Sequence, residues 1–360
     1  MDATSSGTVV TNQPSPSQPS TRQAQVSFTG RSGEYFGIWI VNILLSILTL
    51  GIYSAWATVR TNQYFYGHTR IENHAFRYLA TPMQILRGRL LAAAIFVCYF
   101  AISHFFPLAG VILLFVLFIA SPWLLIMSLR FNLRMTSYRQ IRFAFHGRFI
   151  EAFLIFAVLP IASALTLFLA LPWVFKKMDQ YIYSNISYGG KPLQFRAGAG
   201  KYYVASFASV GAVLLLGFIF GIGVFASLFL LDNGKDLAPL IPFIVIPFYL
   251  LTFSLSGAIY GGIVRNHIYN NSELDGVSSF HSNVKIMPYA WLLMSNFLLL
   301  IISLGLAYPW TCIRKSRFLA KATALNIQPE ADTLIDTVEQ KSSATGEEAA
   351  GFFDADISLA

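Results

Sequence analysis

Charged side chains are scarce in this chain. Asp, Glu, Lys and Arg together make up 12% of its 360 residues, whereas apolar residues make up 55% and Phe alone occurs 32 times. Soluble globular domains contain about 25% charged residues, so this composition lies far outside their range. It predicts a chain that resides in a lipid bilayer.

Cysteine is almost absent, since only Cys98 and Cys312 occur and each lies in an apolar run. Neither a disulfide framework nor a thiolate metal site is expected from two such isolated residues. His68, Glu72 and His74 form a loose cluster whose spacing differs from that of a zinc-binding helix, and we interpret them as loop residues. We therefore expect no metal and no cofactor.

Ionisable residues are rare within the apolar runs, where His104 is the main exception. Proton-driven transporters usually carry Asp, Glu or His in the middle of the membrane, so an antiporter of this kind is disfavoured. The sequence also contains no nucleophile triad and no phosphate-binding glycine loop. We expect neither an enzyme nor a nucleic-acid-binding protein.

Seven apolar runs account for most of the hydrophobic residues. Four are uninterrupted, at 90–106, 108–129, 204–231 and 239–264, and are near or above the roughly 20 residues that a helix needs to cross the hydrocarbon. Three more, at 35–59, 152–175 and 286–313, contain internal breaks at Gly51, Pro160, Pro172 and Gly305. Between four and seven transmembrane helices are therefore predicted.

The three broken runs are copies of one another. Phe28, Gly30 and Arg31 recur as Phe145, Gly147 and Arg148, and the match continues from residues 28–66 to residues 145–183. A more diverged copy of residues 42–60 occupies residues 296–314. Internal repeats of this kind indicate an architecture that arose by duplication, and in membrane proteins a binding site often lies between such repeats.

These repeats define the predicted organisation. It comprises a disordered tail 1–24, repeat unit 1 at 25–144, repeat unit 2 at 145–279, a partial repeat unit 3 at 280–325 and a disordered acidic tail 326–360. Residues 141–146 alternate apolar and polar side chains, which favours a short strand. The predicted fold is an all-α polytopic membrane protein with short cytoplasmic β-hairpins.

Positive charge predicts how the chain sits in the membrane. Nearly all Lys and Arg lie in the segments 60–89, 130–148, 176–201 and 314–321. Cytoplasmic loops collect such residues. If the three broken runs dip into the membrane and return to the same side, the basic segments and both tails become cytoplasmic. The alternative is that these runs cross and the charge rule is broken.

Polar residues inside the broken runs are candidates for a ligand site. Asn42 and Asn296 are equivalent, and Thr49 and Ser303 follow each of them on the same helix face. With the adjacent Gly51 and Gly305, they would line a hydrated cavity or bind a substrate. The alternative is that they bond to neighbouring helices or cap the broken backbone.

The end of each broken run pairs a tryptophan with a cation. The pairs are Trp56 with Arg60, Trp173 with Lys177, and Trp310 with Arg314. An indole ring suits the headgroup level and the cation reaches a lipid phosphate, so anionic lipid headgroups are predicted partners. Simple anchoring at the interface is the alternative.

The run from Asn42 to Arg60, with Phe28-x-Gly30 before it and Phe76-Arg77-Tyr78 after it, resembles the YjgN family of bacterial inner-membrane proteins, a domain of unknown function. The likeness covers residues from about 26 to 325. Ala55 is a departure, since the other copies have Pro172 and Pro309 before Trp. The resemblance implies a multi-pass protein of the bacterial inner membrane and supplies no reaction.

Two functions remain open. The first is a transporter or lipid-translocating protein with a site between the pseudo-repeats. The alternative is a non-catalytic membrane scaffold or a module that senses anionic lipid. A continuous polar cavity around Asn42 would favour transport, whereas a dry contact would contradict it.

Overall fold

The computed structural model describes residues 21–230, 241–331 and 333. Within these residues the chain forms eleven α-helices and eleven β-strands. The helices are α1 Ser32–Leu48, α2 Ser54–His68, α3 Pro82–Phe105, α4 Pro107–Arg134, α5 Phe149–Phe153, α6 Leu159–Ser163, α7 Leu171–Ser184, α8 Gly200–Leu230, α9 Ile241–Asn270, α10 Ile286–Ile302 and α11 Tyr308–Lys321. The strands are β1 Arg22–Gln25, β2 Ser27–Phe28, β3 Thr69–Ile71, β4 His74–Tyr78, β5 Thr136–Tyr138, β6 Ile141–Phe145, β7 Ile186–Tyr188, β8 Lys191–Phe195, β9 Ser272–Leu274, β10 Ser278–Ser282 and β11 Thr323–Ile327.

All the strands join one antiparallel sheet in the order β1-β11-β10-β9-β8-β7-β6-β5-β4-β3-β2. The two ends of this order, β1 and β2, are separated in the chain by Val26 alone. The sheet therefore closes on itself into a barrel-like ring, which leaves almost no unpaired strand edge.

The prediction of an all-α fold is therefore wrong. No strand within the described residues exceeds five residues, and runs this short give a weak periodic signal. Only short hairpins were predicted, whereas the strands join into one sheet. The pairing that closes the ring joins Arg22–Gln25 to Thr323–Ile327, from opposite ends of the chain. Local sequence patterns carry no information about such a pairing. The strand residues 22–24 and 326–327 fall within the predicted tails, most of which lie outside the described residues.

The barrel interior is apolar. Its buried residues are Ala24, Ile71, Ile141, Tyr188, Leu274, Val277, Leu325, Ile327 and Ala331. Aromatic side chains pair across neighbouring strands, as Phe76 does with Tyr138 and Phe143 does with Tyr188. Burial raises the pKa of Tyr138 to about 12, so its hydroxyl stays protonated and donates to the Ile71 carbonyl at 2.9 Å.

The helices lie between strands as five helical units. They are α1–α2 between β2 and β3, α3–α4 between β4 and β5, α5–α7 between β6 and β7, α8–α9 between β8 and β9, and α10–α11 between β10 and β11. Each unit connects two strands that are neighbours in the sheet. Both ends of every described unit therefore lie at the barrel.

Five helical segments in the described part of the chain are long and apolar enough to cross a membrane. They are Pro82–Phe105, Pro107–Arg134, Phe149–Thr166, Gly200–Ser227 and Val245–Asn270. Large apolar side chains cover their surfaces; Phe218, for example, is 68% exposed. Exposure of this extent is typical of a lipid-facing surface.

Two of the broken runs form two helices each, with the break at the predicted glycine. At Leu50 and Gly51 the φ angles are 48° and 90°, and at Leu304 and Gly305 they are 49° and 88°. Glycine adopts this left-handed region at little cost. In the second copy the break lies at 167–170, after Pro160, which sits inside a helical stretch.

Glycine at the start of two helical units makes room for a tyrosine side chain from the end of the same unit; we call this contact, of Gly30 with Tyr64 and of Gly147 with Tyr181, the tyrosine clasp. The Tyr64 hydroxyl donates to the Arg31 carbonyl at 2.9 Å, and the Tyr181 hydroxyl donates to the Arg148 carbonyl at the same distance. A Cβ atom added at Gly147 would overlap the Tyr181 hydroxyl. The repeated Phe-x-Gly-Arg motif thus binds the tyrosine near the end of the unit's last helix, α2 or α7, and holds that helix close to the point where the unit leaves the barrel.

Replacing Gly147 with Ala should destabilise the protein by about 1–3 kcal/mol, because the added methyl group has no space. Thermal unfolding in detergent measures the change as a lower melting temperature. Gly198→Ala is the matched control, since a Cβ atom there meets no other atom within 4 Å. Equal shifts for the two variants would contradict the tyrosine clasp.

Candidate functional site

A groove of about 550 Å³ opens beside the first helical unit, between α1, α2 and α3. Polar side chains from all three helices line it, namely Asn42, Ser46, Ser54, Thr58, Thr61, Asn62 and Arg89. Tyr35, Trp39 and, from α11, Tyr308 form aromatic walls. The groove thus brings the first repeat copy into contact with the third.

A row of hydroxyl groups runs along one face of α2. Ser54, Thr58 and Thr61 are spaced four and then three residues apart, which places them on the same side of the helix. From Ser54 near the turn to Thr61 nearer the barrel, the row extends about 10.5 Å at the helical rise per residue. It forms a polar strip that faces the groove.

Arg89 contributes the positive charge of the groove. Its Nη2 donates to the Thr58 hydroxyl at 2.7 Å, and its Nη1 donates to the Ser54 hydroxyl. Among the described lining residues it is the sole cation and no acid is present. A guanidinium surrounded by neutral hydroxyls favours an anionic ligand such as a phosphate or carboxylate.

Asn42 forms the inner wall of the groove and is only 5% exposed. Its Nδ2 donates weakly to the Ala57 carbonyl at 3.5 Å, across the helical unit. Its buried Oδ1 has no hydrogen-bond partner among the described residues. Such an orphan oxygen is costly, so a ligand that supplies an O–H or N–H donor would be stabilised there.

Asn296, the equivalent of Asn42, has a different environment. Its Nδ2 reaches the Thr311 carbonyl at 3.4 Å, and its Oδ1 accepts a hydrogen bond from Arg314 Nη1 at 2.8 Å. Both ends of this amide are occupied by protein groups. The structure therefore makes Asn42, and not Asn296, the amide that faces the groove.

Thr49 and Ser303 hold the turns that break the runs. The Thr49 hydroxyl donates to the Leu45 carbonyl at 2.7 Å and accepts from the Tyr53 N–H at 2.9 Å. Ser303 makes the same two bonds, to the Leu299 carbonyl and from the Ala307 N–H. These hydroxyls cap the backbone beside Gly51 and Gly305, which are turn residues as well, and none of the four lines the groove.

The predicted tryptophan–cation pairs lie close together. Lys177 Nζ is 5.5 Å from the Trp173 ring, and the Arg314 guanidinium is 4.7 Å from the Trp310 ring. In the first copy Arg60 lies over Tyr53 at 5.9 Å, and Tyr53 in turn stacks on Trp56. Arg314 also bonds to Asn296, so at least one of these cations orients a buried amide.

The loose cluster near β3 and β4 has other partners. Glu72 Oε2 accepts from Arg22 Nη2 at 3.2 Å, and His68 Nδ1 contacts the Tyr64 carbonyl at 2.7 Å. In the described part of the chain no three His, Cys, Asp or Glu side chains are arranged to hold a metal ion.

Sequence reasoning missed Arg89 and the hydroxyl row on α2. The row had a signal in the helical spacing of Ser54, Thr58 and Thr61. Arg89 had none, because it was grouped with the basic segment 60–89, which was assigned as a whole to the cytoplasmic side. Only the packing of α3 against α2 shows that this arginine turns towards the hydroxyls.

The barrel, the five helical units and the broken repeats characterise a chain that matches a known family over residues 23–352. The model of that family is described as "Bacterial protein of unknown function (DUF898)". The chain belongs to the DUF898 family. The match covers all the described helices and nearly all the described strand residues.

Relatives of this DUF898 protein share a name. The chain is 27% identical to "Inner membrane protein YjgN" of Salmonella typhimurium over 87% of its own length and 91% of the relative's. Proteins of the same name from two Escherichia coli strains are 31% and 30% identical, over 33% and 38% of the chain and 30% and 35% of their own lengths. The resemblance to the YjgN family is confirmed, and the chain is an inner-membrane protein. No solved structure matches it.

Proposed function

We propose that this DUF898 protein is a transporter that translocates lipids, with the polar groove as the path of the headgroup. The single observation that carries the proposal is the combination of Arg89, the hydroxyl row and the unpaired Asn42 oxygen in one groove beside the first helical unit. Polar side chains within a membrane are costly and commonly mark the path of a substrate. An open groove would let a headgroup move while its acyl chains remain in the hydrocarbon.

The first helical unit has the dimensions of a segment that dips into the membrane. α1 has 17 residues and α2 has 15, which at the helical rise correspond to about 26 and 23 Å. The hydrocarbon is about 30 Å thick, so neither helix is long enough to cross it comfortably. Leu50, at the turn between them, is 95% exposed, which suits a tip within the hydrocarbon.

The barrel supports placing both ends of each unit on one side. Since both α1 and α2 are joined to barrel strands, a unit that enters at the barrel also leaves at the barrel. The basic residues concentrate at this level, and we assign it to the cytoplasm because cytoplasmic segments collect Lys and Arg. The groove then begins at the cytoplasmic surface.

Removing the guanidinium should slow translocation. Arg89→Gln is expected to lower the rate by about tenfold or more, since hydrogen bonds to charged groups contribute about 1.5–3 kcal/mol. The measurement uses the full-length protein in liposomes with fluorescently labelled phosphatidylglycerol. Dithionite quenches the probe in the outer leaflet, so the slow quenching phase reports its arrival from the inner leaflet.

Arg87→Gln is the matched control, because it removes the same charge two residues earlier on α3 from a side chain that does not line the groove. The translocation rate of Arg87→Gln should stay within about twofold of the rate of the unmodified protein. This change is much smaller than the roughly tenfold loss expected when a hydrogen bond to a charged group is removed. Equal losses at both positions would assign the effect to surface charge. A wild-type rate equal to that of protein-free liposomes would contradict translocation.

One observation favours the alternative of a module that senses anionic lipid. The cations Lys177 and Arg314 lie against Trp173 and Trp310, as headgroup-binding pairs would. On this alternative the protein binds phosphatidylglycerol without moving it. The same liposome experiment separates the two functions, since sensing leaves the quenching kinetics at the protein-free level.

A further inference from the structure

A second arginine lies at the junction between the barrel and the helices, away from the groove. Arg265 is in the last turns of α9, just before β9. Its Nη2 donates to the hydroxyl of Thr323 at the start of β11, at 2.9 Å. Its guanidinium stacks on the Tyr269 ring at 4.3 Å. The side chain is thus fixed by one strand and by its own helix.

This guanidinium is incompletely satisfied. Arg265 Nε is buried and has no hydrogen-bond partner among the described residues. No described carboxylate forms an ion pair with it either. Arg265 as a whole is half-buried, and its enclosed Nε is the donor left without a partner. A buried donor that makes no hydrogen bond costs about 1–3 kcal/mol, so an acceptor that reached it would be stabilising.

A cavity of about 330 Å³ lies beside Arg265, between α11 and the side chains of β2, β3, β4, β10 and β11, which we call the barrel floor. Its walls are mostly apolar, with Phe76 and Phe280 from the sheet and Leu319 from the helix. Among the described lining residues Arg265 is the sole cation, and none is acidic. The cavity therefore has one positively charged side chain in an otherwise mostly apolar wall.

We propose that this cavity binds an amphiphilic anion, with a phosphate or carboxylate on Arg265 and an apolar tail among the barrel-floor side chains. The orphan Nε offers one N–H, and Nη2 carries a second N–H besides the one that it donates to Thr323. These two donors lie on one edge of the guanidinium, which matches two oxygens of such a group. A small hydrophilic anion would leave the apolar walls without a partner. A neutral lipid tail would leave the guanidinium without one.

This site is separate from the groove and does not depend on lipid translocation. The groove is lined by α1, α2, α3 and Tyr308 at the start of α11, whereas the cavity is lined by barrel strands, α9 and the second half of α11, and no residue lines both. A ligand here would join a helix to the sheet and so couple the membrane part of the protein to the barrel.

Octyl phosphate is the probe for the test, with octanol and inorganic phosphate as its separated halves. Binding is measured by calorimetry on the full-length protein in nonionic detergent, in the Arg89→Gln background so that the groove contributes no cation. Octyl phosphate should bind at least about tenfold more tightly than either half. Arg265→Gln should abolish the advantage over octanol.

Arg130→Gln is the control, because it removes an exposed arginine near the barrel end of α4 and should leave binding unchanged. Ser316→Phe keeps the guanidinium and fills the cavity, so it should weaken octyl phosphate binding even if Arg265→Gln does not fold. The proposal is overturned if octanol or inorganic phosphate binds as tightly as octyl phosphate. It is also overturned if Ser316→Phe has no effect.

Discussion

Replacing Tyr188 with Ala should lower the free energy of unfolding by about 3–5 kcal/mol, the usual cost of removing a buried aromatic ring. Tyr188 is 5% exposed inside the barrel, and its ring centroid lies 4.9 Å from that of Phe143. Its hydroxyl donates to the Tyr138 carbonyl at 3.0 Å. Urea unfolding in detergent micelles measures the loss.

Tyr188→Phe separates the ring from the hydroxyl. It keeps the packing and removes one hydrogen bond, so the expected loss is only about 1 kcal/mol. Burial raises the pKa of the Tyr188 phenol well above its usual value, which keeps the donor protonated throughout the neutral range. Similar losses for the two variants would mean that the hydroxyl matters and the barrel interior is not a packed core.

The effect should be large because the barrel connects the whole molecule. β7 pairs with β6 on one side and β8 on the other, and each of these strands leads into a different helical unit. A cavity at Tyr188 therefore weakens the attachment of two units at once. The same substitution on a lipid-facing helix surface would remove few protein contacts.

The sequence predicted the helical part of the fold more fully than the sheet. Long apolar runs are strong signals, because about 20 consecutive apolar residues are typical of a membrane-spanning helix. The strands have at most five residues, and Thr69–Ile71 or Ser272–Leu274 cannot be distinguished from a turn by periodicity. Closure of the barrel depends on contacts between the two ends of the chain, which no local pattern contains.

The candidate site was predicted only through Asn42. The repeat identified this residue because an amide stands out in an apolar run, and the structure places it in the groove wall. The same reasoning selected Thr49 and Asn296, which are engaged by the turn backbone and by Arg314. Equivalent sequence positions thus have different partners. Arg314 of the third copy donates to Asn296, whereas the equivalent Arg60 of the first copy is exposed and lies over Tyr53 instead of bonding to Asn42.

Cysteine labelling should give an all-or-none result for the arrangement of the chain in the membrane. Single cysteines are placed at Lys191, Leu108 and Leu48 in a background that carries Cys98→Ser and Cys312→Ser. In intact cells a membrane-impermeant maleimide should react at Leu108→Cys, beside the turn between α3 and α4, where Leu108 is 76% exposed. It should react at Lys191→Cys, in the barrel, only after permeabilisation.

Leu48→Cys should stay unlabelled in both conditions. Leu48 is 78% exposed at the tip of the first helical unit, and a thiol in hydrocarbon does not form the reactive thiolate. Denaturation in detergent is the positive control, since it should expose all three thiols equally. Labelling of Leu48→Cys from outside intact cells would show that the unit crosses the membrane, and α1 and α2 could not then form a segment that enters and leaves on the cytoplasmic side.

One position in the barrel is enough to fix the side of the whole sheet. Every described strand belongs to the same barrel-like sheet, so Lys191 and the other hairpin turns share one aqueous compartment. Labelling of Lys191→Cys in intact cells would place all the basic segments outside, against the charge distribution. Protection of Lys191→Cys together with labelling of Leu108→Cys requires the α3–α4 unit to cross and return. The helices α1 and α2, with 17 and 15 residues, are too short to cross comfortably in the same way.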